Sequence, residues 1–350
     1  MTFELQGPPD DAQEAPAGLI RAVLEGYGLR LVGEPVPVAR SVLNPNFRAE
    51  TDQGHRCVRL FRPDKPRDLA EAEHRLIAWA GDHGIPVCRP LAALTGETVV
   101  SVGDRLAAVF PWLEHRPLQR GEVTVAEAAV LGDLQGRIQA LLVGYRDPVL
   151  EARGRSEVEW DTDQSIAALS RVDDVIRYYP APSADRLEAQ DALREQLDLL
   201  EGGAARPHTD FDGLPEQIDH CDFHDRNVLF GDGLDVLAVI DWERARVNPR
   251  AFHLLRALDF SGLTGSPPQV EAYATAYGRH VRLSRGECEA AVEQWWQSTL
   301  HNSWTFTEVF IRGNDAVRVF LPELGPRLRR LSDPVFRTRL AETLIAATRR

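Results

Sequence analysis

Through much of Leu29–Phe61, apolar and polar residues alternate with the two-residue period of half-buried strands. Leu29-Arg-Leu-Val32, Val36-Pro-Val-Ala39, Phe47-Arg-Ala-Glu-Thr51 and Cys57-Val-Arg-Leu-Phe61 read as strands, and Asp52-Gln-Gly54 supplies a tight turn between the last two. The period then lengthens. Leu69, Ala72, Leu76, Ile77 and Ala80 recur at helical spacing behind Asp68, a candidate N-cap, and Gly84 and Pro86 end the run. Glu73 lies one turn from Leu69 and from Ile77, on the buried stripe, where an unpaired carboxylate is expensive and a partner is needed. Thr98–Phe110 reads as a further hairpin around Gly103-Asp104. After Pro111-Trp-Leu-Glu114, Thr124 and Glu127 form a capping box, and Val130, Leu131, Leu134, Ile138 and Leu141 mark one face of the next helix. Helical patterns dominate from there, interrupted once by Val228–Asp241. This order predicts an α+β fold: a flexible leader over 1–17, a small antiparallel sheet lobe over 18–110 and a larger, mostly helical lobe over 111–350.

Composition narrows the function classes. With 350 residues and a formal charge of −13, the chain is long enough for a two-lobed domain and too acidic to have nucleic acid as its principal partner. An acidic balance suits a cationic small molecule, although it also serves solubility. No run approaches the ~20 apolar residues of a membrane helix, and the first residues lack a secretory pattern, so no membrane partner is expected. Cys57, Cys88, Cys221 and Cys288 show no paired spacing, and a reducing cytoplasm is the natural setting. Among 40 lysines and arginines the single lysine is Lys65, so an active-site cation is expected to be an arginine.

The chemistry concentrates in His220-Cys-Asp-Phe-His-Asp-Arg-Asn227, followed by two short apolar strands around Gly231-Asp-Gly233 and ending at Asp241. Folding that hairpin brings Asn227 near Asp241, and Asp222 lies on the same loop. One carboxylate could then accept a hydroxyl proton while an Asn and a second carboxylate hold magnesium on a polyphosphate. Singly, each residue reads equally well as a turn Asn or a loop-capping Asp. His220, Asp222 and His224 also alternate as metal ligands on a strand might, but no further His/Cys pair completes a coordination sphere. Gly231-Asp-Gly233 is a hairpin turn, not a dinucleotide fingerprint.

These motifs resemble the aminoglycoside phosphotransferase/choline kinase group, a branch of the two-lobed protein-kinase-like fold. The resemblance covers roughly Val38–Ala257 and is strongest at His220–Asn227 and Val239–Glu243. It implies ATP as co-substrate, Mg2+ as cofactor, Asp222 as catalytic base, Asn227 and Asp241 as metal ligands, and His220 as organiser of the loop. It likens Cys57–Pro63 to the family's third strand, so that Arg59 reaches the nucleotide phosphates and Glu73 pairs with it. Ser41–Phe47, with Asn44 and Asn46, matches the loop over the phosphates, and Phe110-Pro111-Trp112-Leu113 the hinge that binds adenine. The chain departs from the pattern at His253, where the family usually has Asp, and at Gln139, where a histidine is common.

The acceptor site is the least legible part. Trp296, Asn302, Glu308 and Asp259 are its candidates, although the tryptophans read equally as helical core. The implied reaction is phosphoryl transfer from ATP to a hydroxyl of an aminoglycoside or other antibiotic, an amino alcohol, a homoserine-like metabolite or a sugar. Two other readings stay open: a protein Ser/Thr kinase of the bacterial stress-response type, and a non-catalytic nucleotide-binding pseudokinase.

Overall fold

The structure, a computed structural model, describes residues 17–38, 44–116, 118, 122–178 and 184–349. The expected leader therefore lies almost wholly outside the described residues, and Ala17 opens a helix. The chain divides into two compact units, each assembled from three segments: 1–119, 144–153 and 220–245 form the first, and 120–143, 154–219 and 246–350 the second. These bounds differ from the expected boundary after residue 110, because the first unit also takes the loop and hairpin that carry Asp222, Asn227 and Asp241.

In the first unit, β1 (Val36–Pro37), β2 (Asn46–Thr51), β3 (Gly54–Leu60), β4 (Val100–Val102) and β5 (Arg105–Pro111) form an antiparallel sheet in the order β1-β2-β3-β5-β4. The turn between β2 and β3 is pinned where Thr51 Oγ1 donates to the Gly54 carbonyl at 2.6 Å. Gly54 takes φ 92°, a left-handed value that suits glycine. The period-two pattern of β5 sorts its residues between two cores. Ala107 and Val109 join Phe47, Val58 and Leu60 beneath Ile20, Val23 and Leu24 of α1 (Ala17–Gly26). Ala108 and Phe110 instead pack with Phe61, Ala70 and Val99 on the side of α2 (Arg67–Asp82). Pro66, not Asp68, is the N-cap of α2; Asp68 sits in its first turn and accepts from the Leu69 amide at 2.8 Å. The short α4 (Pro148–Glu151) is joined to α2 by Arg75, whose guanidinium lies 2.7 Å from Asp147. The expected hairpin between Asn227 and Asp241 is present as β7 (Val228–Phe230) and β8 (Val236–Val239), tied to the chain after α2 by the Val239 amide donating to Pro86 O at 2.8 Å.

The second unit opens with α3 (Val125–Leu142), whose Thr124/Glu127 capping box is formed. Leu131, Leu134 and Ile138 are buried as expected, but the stripe ends on Leu142 rather than Leu141. The unit continues through α5 (Thr162–Tyr178), α6 (Ala184–Leu199), α7 (Arg250–Phe260), α8 (Pro267–Tyr277), α9 (Arg285–His301), α10 (Trp304–Phe306), α11 (Leu321–Ser332) and α12 (Pro334–Thr348). Helix α3 approaches α8 so closely that a Cβ at Gly132 would fall 2.1 Å from Tyr273 O. A second interruption of the helices went unforeseen: β6 (Glu216–Asp219) pairs antiparallel with β9 (Arg246–Pro249). With one apolar residue among four, β6 carries too little alternation to be seen in the sequence.

Candidate active site

The first unit gathers Arg59, Glu73, Asp222, Asn227 and Asp241, with Asn44, Asn46, the hinge segment and His220. Hydrogen bonding places the loop residues. The Ile240 amide donates to Asn227 O at 2.9 Å, which sets Asp241 directly beyond the end of the hairpin that Asn227 begins. The side-chain Nδ2 of Asn227 donates to Asp222 O at 2.8 Å. That contact commits the side-chain nitrogen to the loop, so that the atom of this side chain suited to a hard cation is Oδ1.

His220 is fully buried, bonds Ile240 O through Nε2 at 3.0 Å and accepts from the Asp222 amide through Nδ1 at 3.2 Å. Its ring centroid lies 4.6 Å from that of Trp242. His224 Nδ1 accepts from the Arg226 amide at 3.2 Å. With both ring nitrogens of His220 and Nδ1 of His224 engaged by backbone, His220 is a poor partner for Asp222 in a zinc-like site. Cys221 and Asp241 adopt left-handed backbone, at φ 61° and 64°, a conformation that short polar Asp tolerates better than most residues.

Arg59 is paired across the sheet with Asn46 and Ala108. Its Nε donates to Asn46 Oδ1 at 3.2 Å and one terminal nitrogen to Glu73 Oε1 at 3.3 Å. Burial works to lower its pKa, but the carboxylates of Asp241, Glu73 and Glu243 outweigh it and raise the value further. Sequence reasoning missed the second cation: Lys65 Nζ lies 3.2 Å from the other oxygen of Glu73. Nothing in the pattern of Pro63-Asp-Lys-Pro66 reveals that a chain turn carries this lysine inward.

Asn44 donates to Glu243 and accepts from the Arg62 amide at 3.0 Å, joining its loop to the segment after Asp241; Ser41–Leu43 of that loop lie outside the described residues. At the hinge, Pro111 pairs with Arg56 at the end of β5, Trp112 Nε1 donates to Glu114 at 2.9 Å, and the Leu113 carbonyl lies 3.0 Å from His115 Nδ1.

The Asp241 carboxyl is raised to about 8, first by burial and then by Glu243, with Asp222 and Glu73 adding to the shift and Arg59 alone opposing it. Glu243, Asp222 and Glu73 thus stand near enough to Asp241 to act on its charge, and such a gathering of carboxylates suits a divalent cation. The Asp241 carboxylate and the side-chain Oδ1 of Asn227 are hard donors suited to Mg2+. Among the described residues no three His, Cys, Asp or Glu side chains form a metal-holding group. Mg2+ does not need one, because it takes most of its ligands from water and phosphate.

The remaining candidates lie in the second unit. Asp259 accepts from Thr264 at 2.8 Å, lies 2.6 Å from Arg327 and 2.9 Å from Arg330, and its side chain is fully buried. Burial disfavours its charge, yet the two arginines hold its carboxyl below the usual range. Glu308 is buried against Arg312 at 2.7 Å and Asn314 at 3.0 Å. Trp296 is core, with the Arg337 guanidinium 5.4 Å from its ring. Asn302 caps α9 and accepts from the Trp304 amide at 2.8 Å. Each of these four residues is thus engaged by packing, ion-pair or capping contacts. The departures from the motif are equally structural: Gln139 bridges Asp219, Arg250 O and the Tyr277 hydroxyl, and His253 Nε2 meets Asn248 Nδ2 at 2.9 Å.

The fold is that of the protein-kinase-like phosphotransferases. A crystal structure of spectinomycin phosphotransferase with ADP and spectinomycin superposes with a TM-score of 0.60 at 14% identity, covering 94% of this chain and 98% of that one. Amicoumacin kinase in complex with AMP-PNP and Ca2+ gives 0.57 at 13%, over 95% of each chain. The chain belongs to the phosphotransferase enzyme family, whose model matches residues 35–290. A homoserine kinase from Caulobacter sp. (strain K31) is 29% identical over 206 residues, 59% of this chain; the match spans 58% of that relative's length, less than two thirds of it.

Proposed function

We propose that the protein is an ATP- and Mg2+-dependent kinase that phosphorylates a hydroxyl group of a small molecule. The observation that carries this reading is the tie of Asp222 and Asp241 to Asn227, through the side-chain Nδ2 of Asn227 to Asp222 O and the backbone amide of Ile240 to Asn227 O. Asp222 orients the acceptor hydroxyl and takes its proton as the oxygen attacks. Arg59 grips the nucleotide phosphates, steadied by Glu73 and Asn46, and the 111–113 backbone receives the adenine. Asn227 and Asp241 would hold Mg2+, which when bound neutralises charge on the phosphates. His220 acts by fixing the main chain on which Asp222 and Asp241 stand.

The acidic balance of the chain favours an acceptor that bears an amine or is neutral overall. Homoserine meets that description, and its kinases are among the relatives. The test is a screen of the purified protein with MgATP against hydroxyl metabolites and antibiotics, following ADP release and the phosphorylated product. Turnover with an amine-bearing alcohol such as homoserine is expected. A phosphorylated or carboxylate-rich compound as best substrate would overturn the acceptor class, a protein as the sole acceptor would overturn the small-molecule reading, and failure to bind nucleotide at all would overturn the kinase reading.

A further inference from the structure

Glu73 is 1% exposed, and a carboxylate so deeply buried needs compensation at both oxygens. The structure provides one cation for each. Arg59 lies 3.3 Å from Oε1 and Lys65 3.2 Å from Oε2. Lys65 is itself buried, at 6% exposure, with Nζ 5.8 Å from the centre of the Phe61 ring. Its amide donates to Arg62 O at 3.1 Å, a turn between β3 and α2 that directs the side chain back beneath the helix.

We propose that Lys65 is a positioning residue for nucleotide binding, one that keeps Arg59 extended toward the phosphates by holding the far oxygen of Glu73. This rests on the reading of Arg59 given above. Arg59 is drawn toward Glu73, Asp241 and Glu243. With Lys65 in place, the charge of Glu73 is shared between two cations at nearly equal distance, and only one arm of the guanidinium is engaged there. With a neutral side chain at position 65, Glu73 has Arg59 as its remaining ion-pair partner. The guanidinium then closes on both carboxylate oxygens as a bidentate pair, withdrawing donors that would meet phosphate. A lysine suits the task because its compact charge satisfies one oxygen without competing for the fork geometry of Arg59.

The test is calorimetric titration of MgAMP-PNP into the full chain and its variants, beside thermal melts of each. Lys65→Met should weaken binding about ten-fold, within the range of couplings inside one ion-pair network, and Lys65→Arg should recover most of the loss. In an Arg59→Ala background, Lys65→Met should add less than about two-fold, because the residue it positions is gone. Glu73→Gln covers the case in which Lys65→Met fails to fold, since Lys65→Met placed on it strands no carboxylate; there too it should cost no further affinity. Equal losses with and without Arg59 would mark a merely structural lysine and overturn the proposal. Full affinity in a folded Lys65→Met protein would overturn it as well. If Arg59→Ala binds normally, the reading of Arg59 falls and the role of Lys65 falls with it, whereas loss in Arg59→Ala alone refutes Lys65 only.

Discussion

At the scale of single residues, the proposed function gives Asp222 and Asp241 different tasks, and their surroundings separate them. Asp222 stands on a loop whose amide is held by His220 and whose carbonyl is held by Asn227. Its main chain is therefore held without a metal, so Asp222→Asn should leave MgAMP-PNP binding close to normal while lowering turnover by about a hundred- to ten-thousand-fold. Asp241 stands where negative charge accumulates. Asp241→Asn should weaken metal–nucleotide binding as well as turnover, and raising magnesium should restore part of the loss in this variant and none in Asp222→Asn. Nucleotide titrations beside steady-state kinetics across a magnesium series decide the matter; equal loss of nucleotide affinity in both would contradict the assignment. Asparagine is the informative replacement at 241 because it accepts the left-handed backbone found there, whereas a larger or β-branched residue adds strain to the lost ligand.

At the scale of elements, α2 does more than present Glu73. Its next residue, His74, is 3% exposed, bonded at Nδ1 to Thr98 Oγ1 at 2.8 Å and set edge-on to Phe110. Burial, reinforced by Arg59 and Lys65, lowers its pKa to about 3. The unfolded chain therefore binds a proton near pH 6.5 that the folded chain refuses, and stability contributed by neutral His74 is lost as pH falls from there toward 3. Between neutral pH and pH 5 the loss should reach about 2 kcal/mol. Urea unfolding at pH 5, 6 and 7 should show that slope in the natural protein and a shallower one in His74→Gln; an unchanged slope would remove His74 as its source. The same helix shows what sequence can reveal. Its apolar stripe was plain, and the burial of Glu73 followed from it. Lys65 was hidden, since a residue between two strand-and-helix patterns carries no periodicity and its burial depends on how the chain turns. The hairpins around residues 52–54, 103–104 and 231–235 were legible from glycine and alternation, while the β6–β9 pair, joining segments 27 residues apart (246 minus 219), left no local mark.

At the scale of the whole molecule, the α+β class and the grouping of Asp222, Asn227 and Asp241 could be read from order and motif, because each rests on local spacing, whereas Arg59 and Glu73 were marked by the family resemblance. The acceptor residues could not. Tryptophans and carboxylates in helices look alike whether they face a ligand or the core, and Asp259 and Glu308 proved to be matched by arginines that the sequence places 68 and 4 residues further on (327 minus 259, 312 minus 308). The way the two units share the chain has a consequence for biogenesis. Every residue that would hold nucleotide or take the proton belongs to a unit that is complete only at residue 245, after the chain has twice left it for the other. On the ribosome the sheet emerges first, at a time when Asp222 and Asp241 are yet to be made. A fragment ending at residue 119 should bind no MgAMP-PNP by titration, and nucleotide binding by that fragment would contradict this order. Recombination with a related gene meets the same topology: a single crossover anywhere between residues 119 and 220 joins a sheet from one parent to a catalytic loop from the other, so inheritance of a working site favours exchange of the whole chain.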